Sequence, residues 1–362
     1  MAAVIPPGVV RYVEATLQAT VERAEPLGAD AGGGTSTAKV DGYGKPVHLW
    51  LRLKNGEVKQ LVFHTASANE FGHDRRSDRA LQQVLAYDTF PLVPQHVAAL
   101  DLGAVHADGS LSSLAGTGEF FLLTEWADGA PYAQDLRALA GGAPLAEADL
   151  ARARALAGYL ARLHQRLPRD EVKWVRALRD TVGSGEGILG ICDAYPGECP
   201  GVRPGLLLEL AQLATAASWR LKTRGARLAR IHGDFHPFNL VFREGLAFTA
   251  LDASRGCAGE PADDLTALAV NYLFFAIDHP ARWAGCFAQL WHGFWDAYLQ
   301  ERADAELLEC VPLFFAWRAL VVCCPRFYPH LSAQGRAGLL ALAHRALLAG
   351  RFELGWADGL FS

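Results

Sequence analysis

Residues 231–265 read IHGDFHPFNLVFREGLAFTALDASRGCAGEPADDL, and the rest of the chain is organised around them. Gly233 and Pro237 punctuate the first part, where Asp234 and Asn239 stand five residues apart. Two short apolar runs follow, Leu240 to Phe242 and Leu246 to Leu251, around the polar turn Arg243 to Gly245. That pattern predicts a β-hairpin. The second run ends in Asp252, so a loop carrying Asp234 and Asn239 leads into a hairpin that returns a second carboxylate to the same place.

Such an arrangement suits phosphoryl transfer, which needs a partner for the acceptor hydroxyl proton and oxygen ligands for a Mg²⁺ that bridges the phosphates. The protein-kinase pattern H-R-D-x-x-x-x-N has this spacing, with Gly233 here in place of its arginine. His232-Gly233-Asp234 with Asn239, then Leu251-Asp252, then Gly259-Glu260-Pro261 and Asp264-Leu265, resembles the aminoglycoside phosphotransferase and choline kinase family. The resemblance implies Asp234 as catalytic base or hydroxyl-orienting residue, and Asn239 and Asp252 as Mg²⁺ ligands. His232 and Asp264 would hold the loop through hydrogen bonds. Two other readings stand beside it. Asp and Asn also serve as plain turn residues. His232, Asp234, His236 and Asp252 could instead ligate a transition metal in a hydrolase, which would leave Asn239 and the downstream element without a role.

The 362 residues suffice for two lobes, and 51% hydrophobic against 20% charged residues describes a globular chain. A net charge of −5 gives no reason to expect nucleic acid or an anionic membrane as partner. Seven scattered cysteines without a C-x-x-C pair fit a reducing compartment and not a zinc site or disulfide framework. No signal peptide is visible at the N-terminus, and the longest apolar stretch, Val311 to Pro325, is interrupted by Arg318 and too short to span a bilayer. A cytoplasmic enzyme is the expectation; the oligomeric state is unreadable.

Taken in order, Val9 to Arg23 carries helical spacing, followed by a Gly-rich turn over residues 28–34. Its Gly32, Gly33 and Gly34 suit close approach to phosphate, or a surface loop. Val47 to Leu53 and Val58 to Thr65 flank Asn55-Gly56 and predict a second hairpin. In the resembled family this strand ends in a phosphate-binding Lys, oriented by a Glu on the next helix. Here His64 and Asp78 occupy those places. The nucleotide is then held differently, by Lys59 or one of Arg75, Arg76 and Arg79, or weakly, or not at all. Glu119 to Thr124 predicts a strand running into Glu125, where the family's hinge would bind adenine through backbone groups.

Helices are predicted around Leu150 to His164, over Leu206 to Leu228, and at Leu265 to Ile277, Ala281 to Gln300, Glu306 to Cys323 and Ser332 to Leu348. Trp291, Trp295 and Tyr298 form one aromatic stripe that reads as core. Gly185 to Gly190 matches G-x-G-x-x-G, but helix precedes it, so Gly183 to Pro200 reads as a loop and not a dinucleotide site. The fold expected is α+β and two-lobed, protein-kinase-like. Residues 1–125 would form a small antiparallel-sheet lobe and 126–362 a mostly helical lobe, with ATP or GTP and Mg²⁺ between them. The activity implied is transfer of the γ-phosphoryl group to a hydroxyl of an aminoglycoside-, choline- or sugar-like small molecule. The alternative is a catalytically impaired pseudokinase that binds a nucleotide or ligand.

Overall fold

The computed structural model describes residues 7–27, 44, 46–253 and 255–362. The chain divides into two compact units, Met1–Thr124 and Glu125–Ser362. The Gly-rich turn, with Gly32, Gly33 and Gly34, lies outside the described residues.

The first unit is built on three antiparallel strands in the order β1 (Ala19–Pro26), β2 (Val47–Leu53) and β3 (Val58–Phe63). In β2, Val47, Leu49 and Leu51 point to one face and are buried with Val9 of the leading helix α1 (Pro7–Leu17). This alternation is what a half-buried strand requires. The turn between β2 and β3 sets Gly56 at φ +83°, which its lack of a Cβ allows. Helix α1 stops earlier than the apolar spacing suggests. Gln18 adopts a left-handed conformation at φ 50°, and β1 starts at Ala19, with the β-branched Thr20 and Val21 next in it. Helix α2 (Arg76–Thr89) and a hairpin of β4 (Gly103–Val105) and β5 (Leu111–Ser113) complete the unit.

The strand expected at Glu119 to Thr124 is absent. Four consecutive apolar residues suit a strand covered on both faces. Phe120 is 62% exposed, and Phe121, Leu122 and Leu123 are 87% or more exposed. Among the described residues the run has no ladder partner, and without one an extended segment has nowhere to place its backbone hydrogen bonds.

The second unit is mostly helical. Strand β6 (Ala130–Pro131) precedes α3 (Tyr132–Ala140), α4 (Glu147–Leu163), α5 (Glu171–Gly183), α6 (Ile188–Asp193) and α7 (Leu206–Leu221). Then come the short strands β7 (Ala229–Arg230), β8 (Leu240–Phe242), β9 (Phe248–Ala250) and β10 (Ala258–Gly259), and finally α8 (Ala262–Ile277), α9 (Pro280–Arg282), α10 (Ala288–Glu301), α11 (Leu307–Cys323) and α12 (Ala333–Ala349). Two small sheets, β6-β8-β9 and β10-β7, sit among the helices. The Gly- and Pro-rich stretch expected as loop contains α6, whose Ile188 and Ile191 are buried. The helix before the G-x-G-x-x-G match is α5, so no strand leads into it.

Helices α8 and α11 are apolar nearly all round and form the centre of the core, which also buries Trp291, Trp295 and Tyr298 completely. No helix among the described residues is long and apolar enough to cross a membrane. The helix expected to run to Leu228 ends at Leu221, and a 3₁₀ turn turns Arg227 inward. Its Nε and Nη2 grip Glu260 at 2.8 and 2.7 Å, and Nη1 and Nη2 reach Asp304 at 2.8 and 2.9 Å. Glu260 is 1% exposed, so its charge depends on that guanidinium. Replacing Arg227 with Ala should destabilise the chain by about 3–5 kcal/mol, because it strands a buried carboxylate. A urea midpoint unchanged from wild type would show that Glu260 finds another partner.

Candidate active site

The segment after α7 is zipped to the segment before α8. Strands β7 and β10 pair antiparallel, and the Ile231 N–H donates to Cys257 O at 3.2 Å. The intervening loop and hairpin therefore project from one closed base. Inside that base the Asp264 carboxylate, wholly buried in the first turn of α8, accepts the backbone N–H groups of His232 at 2.7 Å and Gly233 at 2.8 Å. His164 lies 3.1 Å from the same carboxylate through Nε2, with Nδ1 on the Tyr298 hydroxyl at 2.8 Å. Burial works to raise the Asp264 pKa, but His164 and the two N–H donors hold it below the usual carboxylate range. Gly233 has φ +86°, and a Cβ there would lie 2.9 Å from the Gly256 carbonyl oxygen. Both facts account for Gly at this position.

The loop presents Asp234 nearly buried, at 7% exposure. Its N–H donates to His232 Nδ1 at 3.3 Å. Asn239 Nδ2 donates to the Asp234 carbonyl at 3.1 Å and lies 3.4 Å from Oδ2. His236 Nε2 is also 3.4 Å from Oδ2. On Oδ1, Arg318 Nη1 donates at 2.8 Å and Arg255 Nη1 stands at 3.5 Å. Burial again works upward, yet His236 and the two guanidinium groups keep Asp234 well below the usual carboxylate range. Asp234 therefore stays ionised and is a weak proton acceptor at rest.

After a 3₁₀ turn over Pro237–Asn239, β8 and β9 pair with Leu240 opposite Ala250, and the Leu251 N–H donates to Asn239 O at 2.8 Å. Asp252 is the next residue, exposed, at φ +56°. Asp is one of the few side chains that tolerates this left-handed conformation, and such residues concentrate at functional sites. The hairpin thus brings Asp252 back beside Asn239. The Asn239 Nδ2 is committed to Asp234, which leaves Oδ1, the acceptor end of the amide, for a cation. An amide oxygen and a carboxylate form the hard oxygen set that suits Mg²⁺. A transition metal held by His232, Asp234, His236 and Asp252 fits less well. Asp234 already carries two guanidinium contacts, and among the described residues no cluster of three or more His, Cys, Asp or Glu is set to hold a metal ion.

Of the other candidates, His64 is exposed one residue past β3, and Glu125 is exposed at the start of the second unit. Asp78 accepts the Arg75 N–H at 2.9 Å and so caps its own helix, α2. The residues not anticipated are Arg255 and Arg318; Arg318 of α11, 5% exposed, also donates to Gly233 O at 3.0 Å and Asp263 Oδ1 at 2.6 Å. The signal existed, since Arg318 is the single charge in the apolar run from Val311 to Pro325 and a buried arginine must be paired. Arg255 adds a link outward: its Nε lies 2.9 Å from Glu186 Oε2, and Trp317, whose ring lies under both arginines, donates to Glu186 O at 2.8 Å.

A small antiparallel sheet in one unit, a helical second unit and this loop-and-hairpin site fit a phosphotransferase. The chain belongs to the phosphotransferase enzyme family (APH), whose profile matches residues 74–304. Similar solved structures include a glucosamine kinase, 14% identical over 96% of this chain and 98% of that one, with a TM-score of 0.42. They also include choline kinase LicA from Streptococcus pneumoniae, 11% identical over 94% of this chain and 98% of that one, TM-score 0.34. A third is aminoglycoside phosphotransferase APH(3'')-Id from Streptomyces rimosus, 18% identical over 78% of this chain and 86% of that one, TM-score 0.32. No curated protein sequence matches the chain.

Asp263, beside Asp264, is pushed up to about 6 by burial and, less strongly, by the Asp264 carboxylate, against the pull of Arg318. Between about pH 4 and 6 the folded state keeps a proton that the unfolded chain has released. Asp263's contribution to stability therefore falls as pH rises through that window and is constant above it. Asp263→Asn should flatten this part of the stability profile, read from urea midpoints. A slope identical to wild type would mean that Asp263 is ionised throughout the window.

Proposed function

We propose that the chain transfers the γ-phosphoryl group of a nucleoside triphosphate, ATP in first place and GTP as the variant, to a hydroxyl of a small molecule. The reading rests on one observation: Asp234, Asn239 and Asp252 are placed by a closed loop and hairpin, with Asp234 held ionised. Asn239 and Asp252 are the residues that would hold Mg²⁺, which when bound neutralises charge on the phosphates. Asp234 would accept a hydrogen bond from the acceptor hydroxyl and point its oxygen at phosphorus. Its low proton affinity suits orientation better than early deprotonation, and a loose transition state asks little of a base. His232 and Asp264 fix the loop backbone, so the carboxylate does not have to be positioned during the reaction. His64, at the position of the family's Lys, leaves phosphate binding to other donors, of which Lys59 and the Gly-rich turn are our candidates. Seven scattered cysteines without a C-x-x-C pair suit the reducing cytoplasm.

Calorimetry should detect Mg²⁺-dependent binding of ATP or GTP to the wild type and its loss in Asp252→Ala. Asp234→Asn should keep that binding, while transfer to an accepted alcohol falls by more than about a hundredfold. Full transfer by Asp234→Asn would remove Asp234 from the mechanism. A wild type that binds nucleotide without ever consuming it would favour the pseudokinase reading.

A further inference from the structure

Arg318 is the feature that the motif does not account for. The kinase pattern H-R-D carries an arginine next to its aspartate, and here Gly233 stands at that place. A guanidinium reaches the loop anyway, from α11, 84 residues further along the chain. Its Nη1 holds Asp234 Oδ1 at 2.8 Å, while Nη2 holds Gly233 O at 3.0 Å and Asp263 Oδ1 at 2.6 Å. One planar group thus ties the carboxylate and the backbone just before it to the first turn of α8. The guanidinium carbon lies over the Trp317 ring, 3.9 Å from its centre, and Arg318 is 5% exposed. A lysine, with one rotatable ammonium, could not reproduce this fork.

Resting on the phosphotransferase reading above, we infer that Arg318 is a positioning residue for the reaction. It fixes the rotamer of Asp234 from the C-terminal core, in place of an arginine within the loop. Arg318 leaves the Asp234 Oδ2 edge to the loop's own His236 and Asn239, each 3.4 Å away and so only loosely engaged. That edge is the one an acceptor hydroxyl can use. Arg318 touches neither Asn239 nor Asp252 in any hydrogen bond or ion pair among the described residues, so metal-dependent nucleotide binding is separable from its role.

The test compares wild type, Arg318→Lys, Arg318→Met and the double variant Arg318→Met/Asp263→Asn. The double variant removes the buried carboxylate that the Met substitution would strand. In folded variants kcat should fall by about a hundredfold, the cost of a misplaced reacting group, while the Kd for Mg·ATP stays within about twofold. Added guanidinium ion should restore part of kcat in the Met variants and none in the wild type. A folded variant with wild-type kcat overturns the inference. So does a parallel loss of kcat and nucleotide affinity, or failure of all three variants to fold, since either would make Arg318 a residue of the scaffold only. A wild type that binds no nucleotide overturns the phosphotransferase reading itself, whatever the variants do.

Discussion

One buried carboxylate carries the site. Asp264 sits at the start of the central helix α8 and takes the N–H groups of His232 and Gly233. Carboxylates at a helix N-terminus are favoured by the helix dipole, but a fully buried one survives only if its oxygens are saturated. Two backbone donors and His164 meet that demand, and Tyr298 in turn fixes His164. The consequence runs in both directions. The loop cannot shift without orphaning a buried charge, and α8, apolar on nearly every side, cannot turn without opening the core. The position of Asp234 is thus inherited from the packing of the second unit.

This rigidity bears on the chemistry. Asp234 is surrounded by His236, Arg318 and Arg255, which hold its pKa down even though burial works upward. On the proposed reading, a carboxylate in that setting is a fixed, charged hydrogen-bond acceptor that would aim a hydroxyl and take its proton late. For phosphoryl transfer through a loose transition state, aiming is the larger part of the task.

What the sequence made legible follows from locality. The hairpin at Leu240 to Leu251, the pairing around Asn55-Gly56 and the helices of the second unit are set by periods of two or 3.6 and by turn residues a few positions away. The order of His232, Asp234, Asn239, Asp252 and Asp264 could be read because one short stretch contains them all. Other features could not be read, among them α6 within the expected loop and the early end of α7 at Leu221, and three show why. Helix α1 ends at Leu17 because Gln18 turns left-handed, which apolar spacing does not report. The run Phe120 to Leu123 looks like a strand by composition, yet a strand exists only where another offers a ladder. Arg318 enters the site through tertiary packing alone, and its sole trace in the sequence is a charge inside an apolar helix.

The segment Gly259-Glu260-Pro261-Ala262-Asp263-Asp264 shows how packing resolves what local sequence leaves in conflict. Three carboxylates within five residues should repel one another, and all three are buried. Successive positions at a helix start point about 100° apart, so each can find a separate partner. Glu260 meets Arg227 before the site, Asp264 meets the loop backbone within it, and Asp263 meets Arg318 from the far end of the chain. Of the two adjacent aspartates, Asp263 is the one whose pKa is pushed upward. The acidic segment is therefore a junction, where the stretch from Arg227 to Gly233 and, from α11, Arg318 are fixed around the start of α8. The loop that carries Asp234 is held in place by charges that its own residues do not supply.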